Sequence, residues 1–395
     1  MELTGKQKEG LKIAIARYRS GKPYTVISGY AGSGKSTTIK FIIEALDLHP
    51  EEVAYVSFTG KASEVLRKKG NPNATTIHKL IYNSRRLKSG KFAYTKKISL
   101  DPALKLIVLD ECSMCPANMW EILLSYHVYV IALGDPFQIP PIDKSQNNHL
   151  LDSPHVFLDE VMRQAAESDI IQLTMAIRNN KRITPHKGRD ANVVRANELV
   201  DGMYMWADQI LCATNRTRND INNYMRAVQG FGSEPQIGDK VMCLHNSWDT
   251  CSLINEDPLI NGSICWISGI DEDLITYYGQ GGKEIEVPIY RLALKTDAND
   301  SYENVIVDKQ TLIDGKKFLT PQQEYYIYKN RENFYPLPLE FNYGYACTVH
   351  RAQGSSWPKV LVIEERFPFD EEEHQQHLYT ACTRPEDKLT LVLKN

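Results

Sequence analysis

Residues 24–46 read YTVISGYAGSGKSTTIKFIIEAL. A short apolar run, Tyr24–Ser28, turns through Gly29-Tyr30-Ala31-Gly32-Ser33-Gly34-Lys35-Ser36 into Thr37–Leu46, where Ile39, Ile42, Ile43 and Leu46 recur at helical spacing. A buried strand, a glycine-rich turn and a helix form the context that makes GxxxxGKS a phosphate-binding loop. Gly29, Gly32 and Gly34 let the backbone N–H groups of the loop, Ala31 and Ser33 included, close on phosphate oxygens, with Thr37 opening the helix. Lys35 places a cation at the β- and γ-phosphates, and the Ser36 hydroxyl can ligate Mg²⁺. The expected ligands are ATP and Mg²⁺. With both flanks in place, a chance glycine-rich turn is the weaker explanation.

The matching half lies downstream. Leu106-Ile107-Val108-Leu109 is an apolar run that ends in Asp110-Glu111, two carboxylates at the sheet edge where ligands bind in such folds. Asp110 is expected to hold Mg²⁺ through water and Glu111 to polarise the attacking water. Val53–Phe58 and Val128–Leu133 read as further buried strands, so the first half alternates strand and helix as a parallel sheet requires. Ser84–Thr95 interrupts this with a polar, basic stretch, turn-rich around Ser89-Gly90 with Phe92 and Tyr94 just beyond that turn, and reads as an inserted hairpin. A second α/β pattern begins near residue 160, with a strand at Gln209–Ala213. From about 236 to 340, short strand-like pieces (Lys240–Leu244, Ile264–Ile270, Leu274–Tyr278, Glu284–Val287) alternate with Gly, Asn and Asp turns and suggest a small β-barrel insertion. Tyr345–Val349, Val360–Glu364 and Leu389–Leu393 then resume the α/β pattern.

Composition bounds the rest. At 395 residues, 42% hydrophobic and 24% charged, the chain can bury cores for two or three domains. The N-terminus MELTGKQKEG lacks a signal-peptide core, and no apolar run is long enough to span a bilayer, so a cytosolic location without membrane contact is expected. Most of the eight cysteines sit in apolar or motif segments and read as reduced, packed thiols; Cys112 and Cys115 form a CxxC without an evident second ligand pair. The net charge of −3 conceals a local excess: residues 61–105 carry twelve Lys or Arg against Glu64 and Asp101, a difference of +10. Such a stretch can neutralise phosphates, although a charge run is more often a solvated face.

A phosphate loop alone does not separate a kinase from a GTPase or a motor. Asp110-Glu111-Cys112-Ser113-Met114 followed by Gly134-Asp135-Pro136-Phe137-Gln138-Ile139-Pro140-Pro141 resembles motifs II and III of superfamily 1 helicases. The remaining motifs occur in order. Leu3-Thr4 with Gln7 is similar to the adenine-reading Q motif, Ser57–Ala62 to motif Ia, Thr75–His78 to the next DNA-facing motif and Val161-Met162-Arg163-Gln164 to motif IV. Thr348–Ser355 is similar to motif V and Leu378–Arg384 to motif VI. The chain resembles the RecD-like and phage Dda-like branch over nearly its whole length, without a nuclease domain; the resemblance is weakest at 270–340.

The resemblance implies two RecA-like parallel-sheet motor domains, one at 1–155 and one at 156–235 with 341–395. It adds a pin hairpin at about 80–103 and an SH3-like barrel at 236–340. It implies Arg384 as an arginine finger, Arg163 as a second γ-phosphate contact, Gln138 as a sensor of the γ-phosphate or the water, and Gln353 as a link from motif V to nucleotide and cleft. Thr59, Lys61, His78, Thr348 and His350 are expected to face single-stranded DNA, and Phe92 or Tyr94 at the pin tip to stack on the last base pair of a fork. A monomer moving 5′→3′ on DNA is implied, with a single-strand binding protein or replisome component as a further partner. The pathway (replication, recombination or repair) stays open, and small size with Dda likeness hints at a phage source and so a host cytoplasm.

Three other readings are compatible with parts of the sequence. A translocase that displaces proteins but unwinds little carries the same motifs. A non-motor P-loop enzyme such as a kinase leaves motifs Ia, III and VI unexplained. A non-enzymatic scaffold is at odds with intact Lys35, Asp110, Glu111 and Arg384.

Overall fold

The computed structural model describes residues 2–86, 92–140, 147–162, 167–254, 258–297, 300–330, 333, 335–366 and 370–394. Two compact units divide the chain: Met1–Tyr82 with Lys96–Thr214 and Thr348–Asn395, and Asn83–Thr95 with Asn215–Cys347.

The first unit is built on two sheets. In the first, β1 (Tyr24–Gly29), β2 (Val53–Ser57), β3 (Thr75–Thr76), β6 (Leu106–Leu109), β7 (Tyr129–Gly134) and β8 (Val156–Leu158) run parallel in the order β3-β2-β6-β7-β1-β8. Period-2 alternation explains why these strands are apolar at almost every position: both faces are covered. Ile27, Val53, Leu106, Val108 and Ile131 pack with Ala14, Ile39 and Ile42 on one face. Val26, Val56, Ile107, Leu109 and Val130 pack with Ile77, Ile81, Trp120 and Leu123 on the other. The helix Gly5–Arg19 is opened by a capping box in which Thr4 accepts from Gln7 N–H and the Gln7 side chain returns to Thr4 N–H.

The second sheet follows the order β19-β11-β20-β21-β10-β9, where β9 is His186–Lys187, β10 Ala191–Arg195, β11 Gln209–Cys212, β19 Ala346–Thr348, β20 Trp357–Ile363 and β21 Pro385–Leu393. β11, β20, β21 and β10 pair in parallel, and β9 lies antiparallel at the edge. The helices Asp169–Arg178 and Glu371–Cys382 pack on each other over this sheet. The two sheets and their helices bear out the expected α/β architecture.

In the second unit, β12 (Lys240–Cys243), β15 (Ile264–Tyr278), β16 (Glu284–Lys295), β17 (Ser301–Asp308) and β18 (Phe341–Tyr343) form a sheet in the order β17-β16-β15-β12-β18. A lone parallel bridge, Val307 to Leu339, ties β17 to the residues that run into β18, so the two edges curl toward each other. The core of its far end is Ile275, Tyr277, Val287, Ile289, Leu319 and Ile327. The break expected between Ile270 and Leu274 is absent: Asp271, Glu272 and Asp273 continue β15 opposite Arg291, Tyr290 and Ile289. They look like a turn because this stretch of β15 is exposed on both faces, so nothing demands apolar residues in it. Arg291 compensates by pairing with Asp273 at 2.6 Å.

The inserted hairpin consists of β4 (Tyr82–Arg86) and β5 (Phe92–Lys96). Its connection, 87–91, lies outside the described residues, as do the side chains of Arg85, Arg86 and Phe92. Tyr94 sits within β5 rather than at the tip, and is 47% exposed.

Candidate active site

The phosphate loop joins β1 to the helix Lys35–Ala45. Gly32 and Gly34 have φ of 75° and 78°, a left-handed conformation that side chains resist. At Gly34 space is closed as well: a Cβ would stand 2.2 Å from Gln7 Nε2 and 2.5 Å from Met162 Sδ. Gln7 is buried and donates from Nε2 to Ser33 O at 3.0 Å, while its Oε1 accepts from Thr4 N–H at 2.9 Å. Here the expected adenine reader braces the loop, with both ends of its amide engaged. Lys35 Nζ donates to Gly29 O at 2.6 Å and to Tyr30 O at 3.2 Å, so its ammonium lies folded over the loop. Ser36 is exposed at the first turn of the helix, and Ser33 Oγ is buried without a hydrogen-bond partner among the described residues. A glycine-shaped hollow, a helix N-terminus, a lysine and a free hydroxyl fit a polyphosphate with a divalent cation.

Asp110 and Glu111 close β6. Burial, reinforced by the neighbouring Glu111 charge, raises the Asp110 pKa, and Lys35 opposes that rise. A bound cation would likewise favour the charged carboxylate. Glu111 has φ 50°, a strained setting for a non-glycine residue that turns its side chain off the strand axis.

Facing these carboxylates stands the end of the helix Glu371–Cys382. Arg384 is 5% exposed, and its Nη1 lies 3.8 Å from Glu111 Oε1. Its guanidinium is aimed by donation from Nε to Thr380 O at 3.0 Å, from Nη1 to Ser355 O at 3.4 Å and from Nη2 to Thr383 Oγ1 at 2.9 Å. Gln138 bridges the pair: its amide nitrogen donates to Glu111 Oε2 at 3.2 Å and its oxygen accepts from Arg384 Nη2 at 3.0 Å, the orientation that satisfies both neighbours. A carboxylate of the first sheet and a guanidinium of the second thus share one glutamine. Gln353 donates to Ile139 O at 2.7 Å and so anchors the motif V segment to the motif III turn. Arg163 lies outside the described residues.

Several residues of this site had drawn no role from the sequence. Tyr379 accepts from Ala31 N–H at 2.9 Å and donates to Asp135 Oδ2 at 2.7 Å. Thr380 accepts from Ile139 N–H at 2.9 Å. Arg178 Cζ lies over the Tyr30 ring, 3.6 Å from its centroid. The available signal for Tyr379 was its setting: a tyrosine in the apolar run before Arg384 must bury its ring and find a partner for its hydroxyl. Nothing local marked Arg178.

The residues expected to face DNA are variously engaged. Thr59 caps the helix Gly60–Lys68, accepting from Ala62 N–H at 3.1 Å. Lys61 is paired with Glu64 at 3.0 Å, and Lys68 reaches the same carboxylate at 3.1 Å, so part of the basic stretch is neutralised locally. Gly354, at φ 72°, fits against this helix; a Cβ there would stand 2.8 Å from Ala62 Cβ and 3.2 Å from Thr59 Oγ1. His78 lies at a tilt to the rings of Phe58 and Tyr82, and His350 lies 5.9 Å from the His377 ring; burial lowers the pKa of both His78 and His350. Thr348 is 8% exposed at the head of the short helix Val349–Ala352. Cys112 and Cys115 are buried free thiols whose pKa values burial raises, Cys115 to about 12.

Strand-end carboxylates, a phosphate loop and a guanidinium delivered from a second parallel sheet define a class, the two-lobed P-loop nucleoside triphosphatases. The AAA domain family matches residues 2–198, and the UvrD-like helicase C-terminal domain family matches residues 343–392. The ATP-dependent DNA helicase dda of Enterobacteria phage T4 is 24% identical, covering 97% of this chain and 97% of its own. The ATP-dependent RecD2 DNA helicase of Deinococcus radiodurans is 26% identical over 97% of this chain and 49% of its own, so the chain spans about half of that relative. Among solved structures, the Pif1 helicase from Candida albicans aligns with a TM-score of 0.51 at 16% identity, covering 100% of this chain and 95% of that one; this likeness concerns the fold. The chain belongs to the superfamily 1 helicases, in the branch with the RecD-like and Dda-like proteins.

Proposed function

We propose that this protein is an ATP-dependent DNA helicase that translocates 5′→3′ on single-stranded DNA and separates the duplex ahead of it. The observation that carries this reading is the Glu111–Gln138–Arg384 bridge between the two sheets. Phosphoryl transfer is catalysed by positioning and by charge on the transferring oxygens, so an arginine from one lobe and a water-activating carboxylate from the other make turnover depend on how the lobes meet. Glu111 takes the proton of the attacking water, Gln138 orients that water, and Lys35 and Arg384 neutralise charge. A divalent cation, held by Ser36 and Asp110 when bound, supplies further neutralisation of the triphosphate. ATP draws the lobes together because it binds the closed arrangement better than the open one. Alternate grip on the strand, with Thr59, Lys61, His78, Thr348 and His350 along its track, turns that cycle into stepping.

Relatives named as DNA helicases support the choice of DNA; the polarity is what the resemblance to the RecD-like and Dda-like branch implies. The test uses the full chain: ATP hydrolysis with and without single-stranded DNA, then unwinding of substrates bearing only a 5′ or only a 3′ tail. Stimulated hydrolysis and unwinding from the 5′ tail are expected. Hydrolysis indifferent to DNA would overturn the motor. Unwinding from the 3′ tail alone would reverse the polarity, and displacement of bound protein without unwinding would leave a translocase.

A further inference from the structure

Three segments that are far apart in sequence converge on one buried hydroxyl. Tyr379 is 1% exposed, and burial raises its pKa, so the phenol keeps its proton at neutral pH. That proton goes to Asp135 Oδ2, and the oxygen receives the Ala31 N–H of the phosphate loop. Asp135 uses its other oxygen to accept from Phe137 N–H at 3.0 Å, which shapes the turn leading to Gln138. The ring of Phe137 meets Tyr379 edge-on at 5.2 Å. Beyond Gln138, Ile139 is held on both sides of its peptide group, its N–H by Thr380 and its carbonyl by Gln353. The turn that presents Gln138 is therefore fastened to the second lobe at both ends, and one fastening also occupies a phosphate-loop amide.

A tyrosine serving packing alone could satisfy its hydroxyl on any nearby carbonyl. This one takes an N–H from the loop whose amides receive phosphate. We propose that Tyr379 is a positioning residue that reads the occupancy of the phosphate loop. Its phenol clamps Ala31 to Asp135; phosphate oxygens arriving at the loop compete for that amide, and the loosened turn lets Gln138 leave its bridge between Glu111 and Arg384 for the attacking water. The inference rests on the ATP-hydrolysis reading above.

Tyr379→Phe removes the hydroxyl and keeps the ring against Phe137. One hydrogen bond corresponds to roughly threefold to tenfold in an equilibrium. ADP is therefore expected to bind the variant about threefold to tenfold more tightly, because no phenol has to be displaced. The KM for ATP should fall with it, and kcat should also fall because the turn is less well set. Hydrogen exchange of the 29–34 segment should be faster in nucleotide-free Tyr379→Phe than in the parent, and equal once ADP is added. An ADP affinity and an exchange rate both unchanged, with any loss of kcat explained by a lower fraction folded, would reduce Tyr379 to a packing residue. Should Tyr379→Phe fail to fold, Asp135→Asn keeps an oxygen acceptor of weaker strength and is expected to move ADP affinity the same way; no movement there overturns the proposal. A parent protein that neither binds ADP nor hydrolyses ATP would sink the underlying reading as well, a result distinct from a normal parent and an unaltered variant.

Discussion

Arg384 shows how little of a residue's role lies in the residue itself. A guanidinium on a surface is worth almost nothing to a fold, whereas here four hydrogen-bonding atoms and near-complete burial point it at Glu111. Arg384→Ala is expected to cut DNA-stimulated ATP turnover by about 10³-fold or more, the scale of losing an arginine finger, while ADP binding changes far less. Steady-state hydrolysis beside ADP titration checks this. His377 supplies a second prediction. Burial, with like charge from His350 and His374, lowers its pKa from 6.5 to about 3. The folded value lies below the unfolded one, so on acidification the unfolded chain takes up the proton first. Stability is therefore intact above about pH 6.5 and erodes from there toward pH 3, by at most about 1.4 kcal/mol per pH unit for this group. His78 and His350, also lowered by burial, act in the same direction. Urea midpoints measured from pH 7.5 to 5 should fall, and His377→Gln should flatten that fall.

At the scale of elements, the second unit is held by a buried ion pair where an apolar contact would have been simpler. The helix Asn215–Val228 carries Arg226, which pairs with Asp239 at 3.0 Å just before β12; Asp239 is wholly buried. The same carboxylate accepts from Gln236 N–H at 2.9 Å and from the Tyr345 hydroxyl at 3.0 Å, and the guanidinium lies 4.1 Å from the Tyr343 ring centroid. Removing one member strands the other in a low dielectric. Asp239→Ala is expected to destabilise this unit by about 3–5 kcal/mol in chemical denaturation, and a combined Asp239→Leu, Arg226→Met change to cost less than the single substitution. A pair that contributed nothing would make the single variant neutral.

For the molecule as a whole, the question is whether stepping and strand separation are separable. Hydrolysis draws on the first unit, where every described residue of the nucleotide site lies, while β4 and β5 leave it at Tyr82 and return at Lys96. Changing Phe92 and Tyr94 together to Ala is expected to lower unwinding of a tailed fork much more than DNA-stimulated hydrolysis. Equal loss of both activities would assign these aromatics to folding. The comparison needs only one preparation assayed twice.

Local chemistry made a large part of this protein legible in its linear order. A phosphate loop must follow a strand and open a helix, and strands covered on both faces must be apolar throughout. Residues 24–46 and 106–111 therefore announced both the first sheet and its nucleotide edge. Where local demand was weak, the order of residues misled: Asp271–Asp273 look like a turn because a strand segment exposed on both faces imposes no pattern. The remainder belonged to the tertiary structure alone. That Gln7 braces Ser33, that Tyr379 shares its hydroxyl between Ala31 and Asp135, and that Gln138 joins Glu111 to Arg384 are contacts between residues up to 348 positions apart. A hydrogen bond depends on distance and direction in space, and only the packing of loops and helices about the two sheets sets those.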